Sequence, residues 1–153
     1  MNKQDLLIET IEYYQNNPRG TDSESSDGDN PFCVYYDPDT GNMCAVGRCL
    51  LDKKKAMEMT GSIDDHLAVE GSLGDRPDGF IEIDMGDFKP EYQEIDDLRF
   101  WRCLQSLHDV DYHWDVCYVT GENRLEPAGV LKVRDICKTH DIDFDEVKKH
   151  IRE

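Results

Sequence analysis

The sequence predicts an α+β domain, a small antiparallel sheet packed by four to five helices. Three observations predict it. Leu6, Leu7, Ile11 and Tyr14 recur at helical spacing, and similar stripes recur near residues 98–108 and 130–140. Residues 32–36 and 43–46 flank Asp-Pro-Asp-Thr-Gly, which is hairpin chemistry. Ile81, Ile83 and Met85 alternate with Glu82 and Asp84, as in a half-buried strand over 80–85. With 153 residues and 38% hydrophobic composition, the chain is long enough for one core. We read 1–153 as a single domain.

The elements follow in order. Residues 3–15 form the first helix, which Asn2 caps and Asn16, Asn17 and Pro18 end. Residues 19–31 are polar and rich in Gly, Ser and Asp, and we expect a mobile loop. In the hairpin, Gly41 takes the left-handed position that closes the turn. Asp52 caps a short helix through KKKAMEM, with Gly61 just past its end. Residues 62–79 carry little pattern. Asp96 or Asp97 caps a helix over 98–108 with Leu98, Trp101, Leu104, Leu107 and His108 inward. Residues 111–119 fit a strand or a helix, and residues 121–127 read as a turn. Residues 130–140 are helical. Asp143 and Glu146 have the capping-box spacing for a last helix over 144–151.

Charge narrows the functional classes. The chain has 34 acids against 17 bases, a formal net charge of −17. Direct contact with nucleic acid is disfavoured, because phosphates are repelled. A basic surface on another protein remains as a partner, and so does plain solubility. No apolar run approaches the roughly 20 residues of a membrane span. The N-terminal stretch carries acids and no small-residue cleavage site, so it reads as a helix rather than a signal peptide. A cytoplasmic protein is expected, with Cys33, Cys44, Cys49, Cys103, Cys117 and Cys137 reduced.

The acidity is uneven. Residues 31–63 hold four acids and four bases, whereas residues 64–97 hold twelve acids and two bases. Glu82, Asp84, Asp87, Glu91, Glu94, Asp96 and Asp97 are the candidate partner-binding residues. A run of charge is ordinarily a solvated face. Here the clustering exceeds what solubility needs, and its density approaches that of a nucleic-acid backbone. Such a face attracts a basic cleft and speeds association.

No catalytic residue, metal set or cofactor motif emerges. Cys103, His108, His113 and Cys117 are all zinc-competent, but their spacing does not match structural zinc sites, and buried Cys and His on a helix is the plainer reading. Cys33 and Cys44 can approach across the hairpin, again more simply as core thiols. Arg48 adjoins Cys49, yet no base accompanies it. The stretch DIDFDE (141–146) lacks the glycine and terminal glutamate of a calcium loop. The C-terminal helix pair resembles a helix-turn-helix in outline, but Asp143, Asp145 and Glu146 would lead into DNA, so packing is preferred.

The stretch CVYYDPDTGNMCAVGRCL (33–50) resembles a motif of short proteins encoded by tailed phages and prophages. In that family a Cys-x-Tyr strand and a Gly turn lead into Cys-Ala-Val-Gly, here Cys33, Tyr35, Gly41, Cys44, Ala45, Val46 and Gly47. A second patch is Leu104, Gln105, His108 and Asp109 in LQSLHD, followed by Trp114. The resemblance touches about half of the chain. Arg48 before Cys49 departs from the motif, and so does the long acidic stretch. The family has no established activity, so no catalytic residue carries over. The resemblance implies a viral origin and the cytoplasm of an infected bacterial host. It also implies that the hairpin packs on the 98–114 helix, with Cys33, Cys44 and His108 near the junction.

The expected function is therefore non-catalytic: an acidic phage protein that inhibits or redirects a host nuclease, defence complex or transcription enzyme, through a face that mimics nucleic acid. The alternatives are a small-molecule, nucleotide or zinc binder, and an accessory component of the virion.

Overall fold

The computed structural model describes residues 1–22, 32–59, 63, 66–67, 81–110, 113–116 and 122–152. Among them are five α-helices: α1 (Lys3–Asn16), α2 (Lys53–Glu58), α3 (Leu98–Asp109), α4 (Pro127–Thr139) and α5 (Phe144–Lys148). Two short antiparallel sheets accompany them, β1 (Thr21–Asp22) with β2 (Phe32–Cys33), and β3 (Trp114–Val116) with β4 (Asn123–Leu125). The fold is α+β.

The helix starts follow from their caps. Asn2 Oδ1 accepts the Asp5 N–H at 2.8 Å, Asp52 Oδ1 accepts the Lys54 N–H at 2.9 Å, and Asp97 Oδ1 accepts the Phe100 N–H at 3.2 Å. α1 buries Leu6, Leu7, Thr10, Ile11 and Tyr14, and packs on α3, α5 and β4. α3 buries Phe100, Trp101, Leu104, Leu107 and His108 at the centre, between α1 and α4. Its indole neighbours satisfy their own donors: Trp101 Nε1 reaches Ile95 O at 2.7 Å and Trp114 Nε1 reaches Leu107 O at 2.9 Å. The C-terminus clamps α1. Arg152 N–H donates to Gln15 Oε1 at 2.5 Å, and Asn123 Nδ2 donates to Tyr14 O at 2.6 Å and Asn17 O at 2.9 Å.

Four sequence expectations need correction. First, residues 80–85 are not a strand. Ile83 makes one isolated parallel bridge to Leu67, and Met85–Asp87 turns as a 3₁₀ helix. The alternation is real, with Ile83 buried and Glu82 and Asp84 exposed, but the residues after Ile83 coil around Asp84 and Asp87. Phe80 lies outside the described residues. Second, the expected hairpin has its turn but not its ladder. Asp37 O accepts the Gly41 N–H at 2.7 Å with Gly41 at φ 76°, and Cys44 N–H reaches Val34 O at 2.9 Å. The strand pairing runs on the other side, Thr21 opposite Cys33. The return leg instead bends into the 3₁₀ turn Gly47–Cys49, and Gln105 of α3 accepts the Val46 N–H at 3.2 Å.

Third, the expected loop at 19–31 is ordered at its start. Gly20 is buried, its N–H donates to His108 Nε2 at 3.0 Å, and β1 follows. Residues 23–31 lie outside the described residues. Fourth, residues 121–127 contain β4, paired with β3, because Asn123 and Leu125 face inward around exposed Arg124. α4 accordingly begins at Pro127, a residue suited to the first helical position, and α5 ends at Lys148.

The two patches quoted for the phage-like resemblance do meet. Gln105 holds Val46, and His108 holds Gly20, which in turn accepts the Val34 N–H at 3.0 Å. Cys44 is buried in the same core, while the Cys33 side chain lies outside the described residues.

His108 is wholly buried. A backbone N–H can only donate, so Nε2 is the acceptor and Nδ1 carries the proton, which it donates to Asp109 Oδ1 at 2.6 Å. Burial pulls its pKa below the ordinary value of 6.5, and Asp109 only partly offsets this. The imidazole is therefore neutral in the folded protein.

Two outcomes follow. A Cβ on Gly47 would meet Tyr35 O at 1.8 Å, a side-chain atom against backbone. Gly47→Ala should cost about 3 kcal/mol or more, read as a fall in the urea midpoint at unchanged slope. His108 gives the second. Its folded pKa lies below its unfolded one, so the unfolded chain binds the proton first. Its contribution is intact above about pH 6.5 and is lost as pH falls from there toward the folded pKa. Between pH 7.5 and 5.5 the wild type should lose stability faster than His108→Gln, by up to about 1.4 kcal/mol per pH unit. Equal slopes would contradict this.

Candidate functional site

The acidic segment runs from Glu82 to Asp97 and is stitched to the core by its apolar residues. Ile83, Phe88, Tyr92 and Ile95 are buried. Its backbone is fastened as well: Ile83 N–H donates to His66 O at 2.8 Å, Leu51 N–H to Asp87 O at 3.0 Å, and Lys89 N–H to Cys49 O at 2.9 Å. Two 3₁₀ turns, Met85–Asp87 and Pro90–Tyr92, shape it. Apolar residues point in, and most of the acids point out.

The seven candidate acids divide into two groups. Asp87 is paired with Lys55 Nζ at 3.0 Å and accepts the Asp84 N–H at 2.9 Å. Asp97 caps α3, pairs with Lys3 Nζ at 2.5 Å, and lies 3.7 Å from His140 Nδ1. Burial pushes the Asp97 carboxyl up, but Lys3, the Phe100 amide and His140 outweigh it and hold it below the ordinary value. These two carboxylates serve the fold. Glu82, Asp84, Glu91, Glu94 and Asp96 are exposed. Glu94 lies 3.7 Å from the N-terminal ammonium, and no cation among the described residues pairs with the other four.

A buried arginine anchors the segment. Arg48 is 6% exposed, and its Nη1 donates to Glu9 Oε1 at 2.5 Å and to Tyr92 Oη at 3.2 Å. Tyr92 Oη donates to the same Glu9 oxygen. The guanidinium lies 5.0 Å from the Tyr13 ring centroid and 5.7 Å from that of Tyr92. Its Nε makes no hydrogen bond among the described residues. α1, the Gly47–Cys49 turn and the Pro90–Tyr92 turn are thus held at one point.

The sequence-level metal candidates disperse. His108 spends both nitrogens on Gly20 and Asp109, and His113 Nδ1 is 3.1 Å from Leu107 O. Cys117 lies outside the described residues. No group of three or more metal-binding side chains occurs among the described residues. Cys49 is buried beside Arg48, its thiol pushed up to about 12 by burial, and it donates to Ala45 O at 3.4 Å. Asp143 caps α5, and the C-terminal helices pack on each other and on α1. Cys103 does find a histidine, but it is His140, 3.7 Å from its Sγ, a pairing hidden by a separation of 37 along the chain.

No family model matches the chain, and no curated protein and no solved structure matches it either. None of the helices among the described residues is long and apolar enough to cross a membrane.

The anchor is testable by double substitution. Glu9→Ala leaves a buried guanidinium without its counter-charge and should cost about 2 kcal/mol, below the roughly 3–5 kcal/mol of a fully buried pair because Glu9 is 34% exposed. Adding Arg48→Met should restore part of that loss, since the double variant has no unpaired buried charge. A double variant less stable than the sum of both singles would show that the pair is not the anchor.

Proposed function

We propose that this chain is a non-catalytic, phage-encoded protein that binds a basic surface on a host protein and occludes it. The binding face is the outer side of the acidic segment, centred on Glu82, Asp84, Glu91, Glu94 and Asp96. One observation carries the reading: these carboxylates are exposed, while the apolar residues between them are locked into the core. A flexible acidic tail would lose entropy on binding. A fastened one presents its charges in fixed geometry, which favours selectivity as well as fast encounter. Asp87 and Asp97 are withdrawn from the face, since their charge is answered by Lys55 and Lys3. The phage origin rests on the resemblance at residues 33–50 and 104–114.

The experiment compares the wild type with a variant in which the five exposed acids become Gln or Asn. Both are immobilised and exposed to bacterial lysate at low salt and at about 0.5 M NaCl, where the Debye length is about 4 Å. A partner of basic surface should be retained by the wild type at low salt, released at high salt, and not retained by the neutralised variant at either. Changing Asp87 and Asp97 alone should lower stability more than retention. Retention unaffected by the five substitutions would overturn the proposal.

A further inference from the structure

α3 carries Asp97, Phe100 and Cys103 at intervals of three, so they project from one side of the helix. The end of α4 meets that side. His140 Nε2 lies 3.7 Å from Cys103 Sγ, and His140 Nδ1 lies 3.7 Å from Asp97 Oδ2. The Phe100 ring stands edge-to-face on the imidazole, 5.1 Å between centroids at 76°. His140 is held from behind as well. Asp141 adopts φ 56°, and Ile142 N–H donates back to Cys137 O at 2.8 Å, the left-handed closure that ends a helix in one defined geometry. Lys3 of α1 fixes Asp97 in turn. Thiol, imidazole and carboxylate therefore stand in line, each on a rigid element.

We propose that Cys103 is a reactive thiol, activated by His140 with Asp97 as the positioning residue, and that its reaction partner is a low-molecular-weight disulfide. This inference is independent of the acidic face. Cys103 Sγ gives its proton to His140 Nε2, and the thiolate attacks one sulfur of the disulfide. A bond forms between Cys103 Sγ and that sulfur while the original S–S bond breaks. The departing thiolate takes the proton from the imidazolium and leaves as a free thiol. Cys103 is oxidised to a mixed disulfide, and half of the incoming disulfide is reduced.

The other described thiols are poorly suited to this. Cys44 and Cys49 are 0% exposed and Cys137 is 2% exposed, whereas Cys103 is half-buried. Burial raises the Cys103 thiol above its ordinary pKa, so it is a thiol at neutral pH and needs a base. Burial lowers the His140 imidazole, so that base is neutral and ready to accept. The groups around the pair are mixed. Arg99 and Arg102 of α3 and Lys132 of α4 stand against Asp97 and Asp135, with Lys3 beyond Asp97. An anionic disulfide therefore meets cations here, on a chain that is otherwise strongly acidic.

The test treats the folded protein with glutathione disulfide and follows each cysteine by peptide mass. Cys103 should form the mixed disulfide at least about tenfold faster than Cys44, Cys49 or Cys137. In wild type the rate should rise with an inflection below pH 6.5, at the titration of His140. In His140→Gln that inflection should vanish, the rate at pH 7 should fall about tenfold, and the two proteins should converge near pH 10, where the thiolate forms unaided. Asp97→Asn should weaken the low-pH inflection without removing it. Should a variant lose its fold, seen as labelling of Cys44, the wild-type profile alone decides. A single inflection near the ordinary thiol pKa, or a Cys103 no faster than Cys137, would overturn the proposal.

Discussion

The contact of Arg48 with Glu9 and Tyr92 is the constraint on which the rest of the structure depends. Burying a guanidinium is costly unless its charge is answered and its donors are used. Glu9 answers the charge, Tyr92 accepts from the same Nη1, Thr10 accepts from Nη2, and two tyrosine rings cover the guanidinium. The partners come from two distant parts of the chain. α1 supplies Glu9, Thr10 and Tyr13, and the Pro90–Tyr92 turn supplies Tyr92. Backbone bonds tie the two stretches as well, Lys89 N–H to Cys49 O at 2.9 Å and Leu51 N–H to Asp87 O at 3.0 Å. The buried cation adds the side-chain tie between them and α1.

The same constraint explains how so acidic a segment remains attached to the core. Like charges along one stretch repel, and repulsion favours an extended, solvated chain. Here it is opposed by a buried residue about every fourth position, Ile83, Phe88, Tyr92 and Ile95, and by the backbone bonds to residues 49–51. Two of the acids are drawn inward to single lysines, which lowers the repulsion further. Of the remaining carboxylates, Glu94 meets the N-terminal ammonium, and the other four meet no cation among the described residues. Exposure there is what is left once the fold has used the acids it needs.

The legible parts of the sequence were those governed by local chemistry. α1 and its Asn2 cap, the Asp52 and Asp97 caps, the inner stripe of α3 and the turn closed by Gly41 all follow from residues within a few positions of each other. The illegible parts depend on distant partners. Alternation at 81–85 is identical for a strand and for an extended edge that finds only Leu67 to bridge. The ladder on residues 32–33 could have run to either neighbour, and the choice of Thr21–Asp22 was made by Gly20, which His108 holds in place. β4 was missed because Asn123 reads as a turn residue, although its amide is spent inside the core on the end of α1. Among site residues, the exposed acids were legible as charge, but the retirement of Asp87 and Asp97 into ion pairs was not. His140 was invisible beside Cys103 for the same reason: no local rule links two helices whose crossing is set by packing.

Arg48 directly follows Cys44, Ala45, Val46 and Gly47. Gly47 must be small because Tyr35 O approaches it, so it offers no side chain as an anchor. The next residue supplies one. Lys53 adds a second tie by donating to Gly47 O at 3.0 Å and Leu50 O at 3.2 Å, which closes the exposed end of the turn. Arg48 and the acidic stretch are thus coupled, since it is Arg48 that meets Tyr92. A chain lacking a cation at this position would have no buried guanidinium to meet Glu9 and Tyr92. Its acidic segment would then be held by apolar contacts, backbone bonds and the ion pairs of Asp87 and Asp97, against its own repulsion.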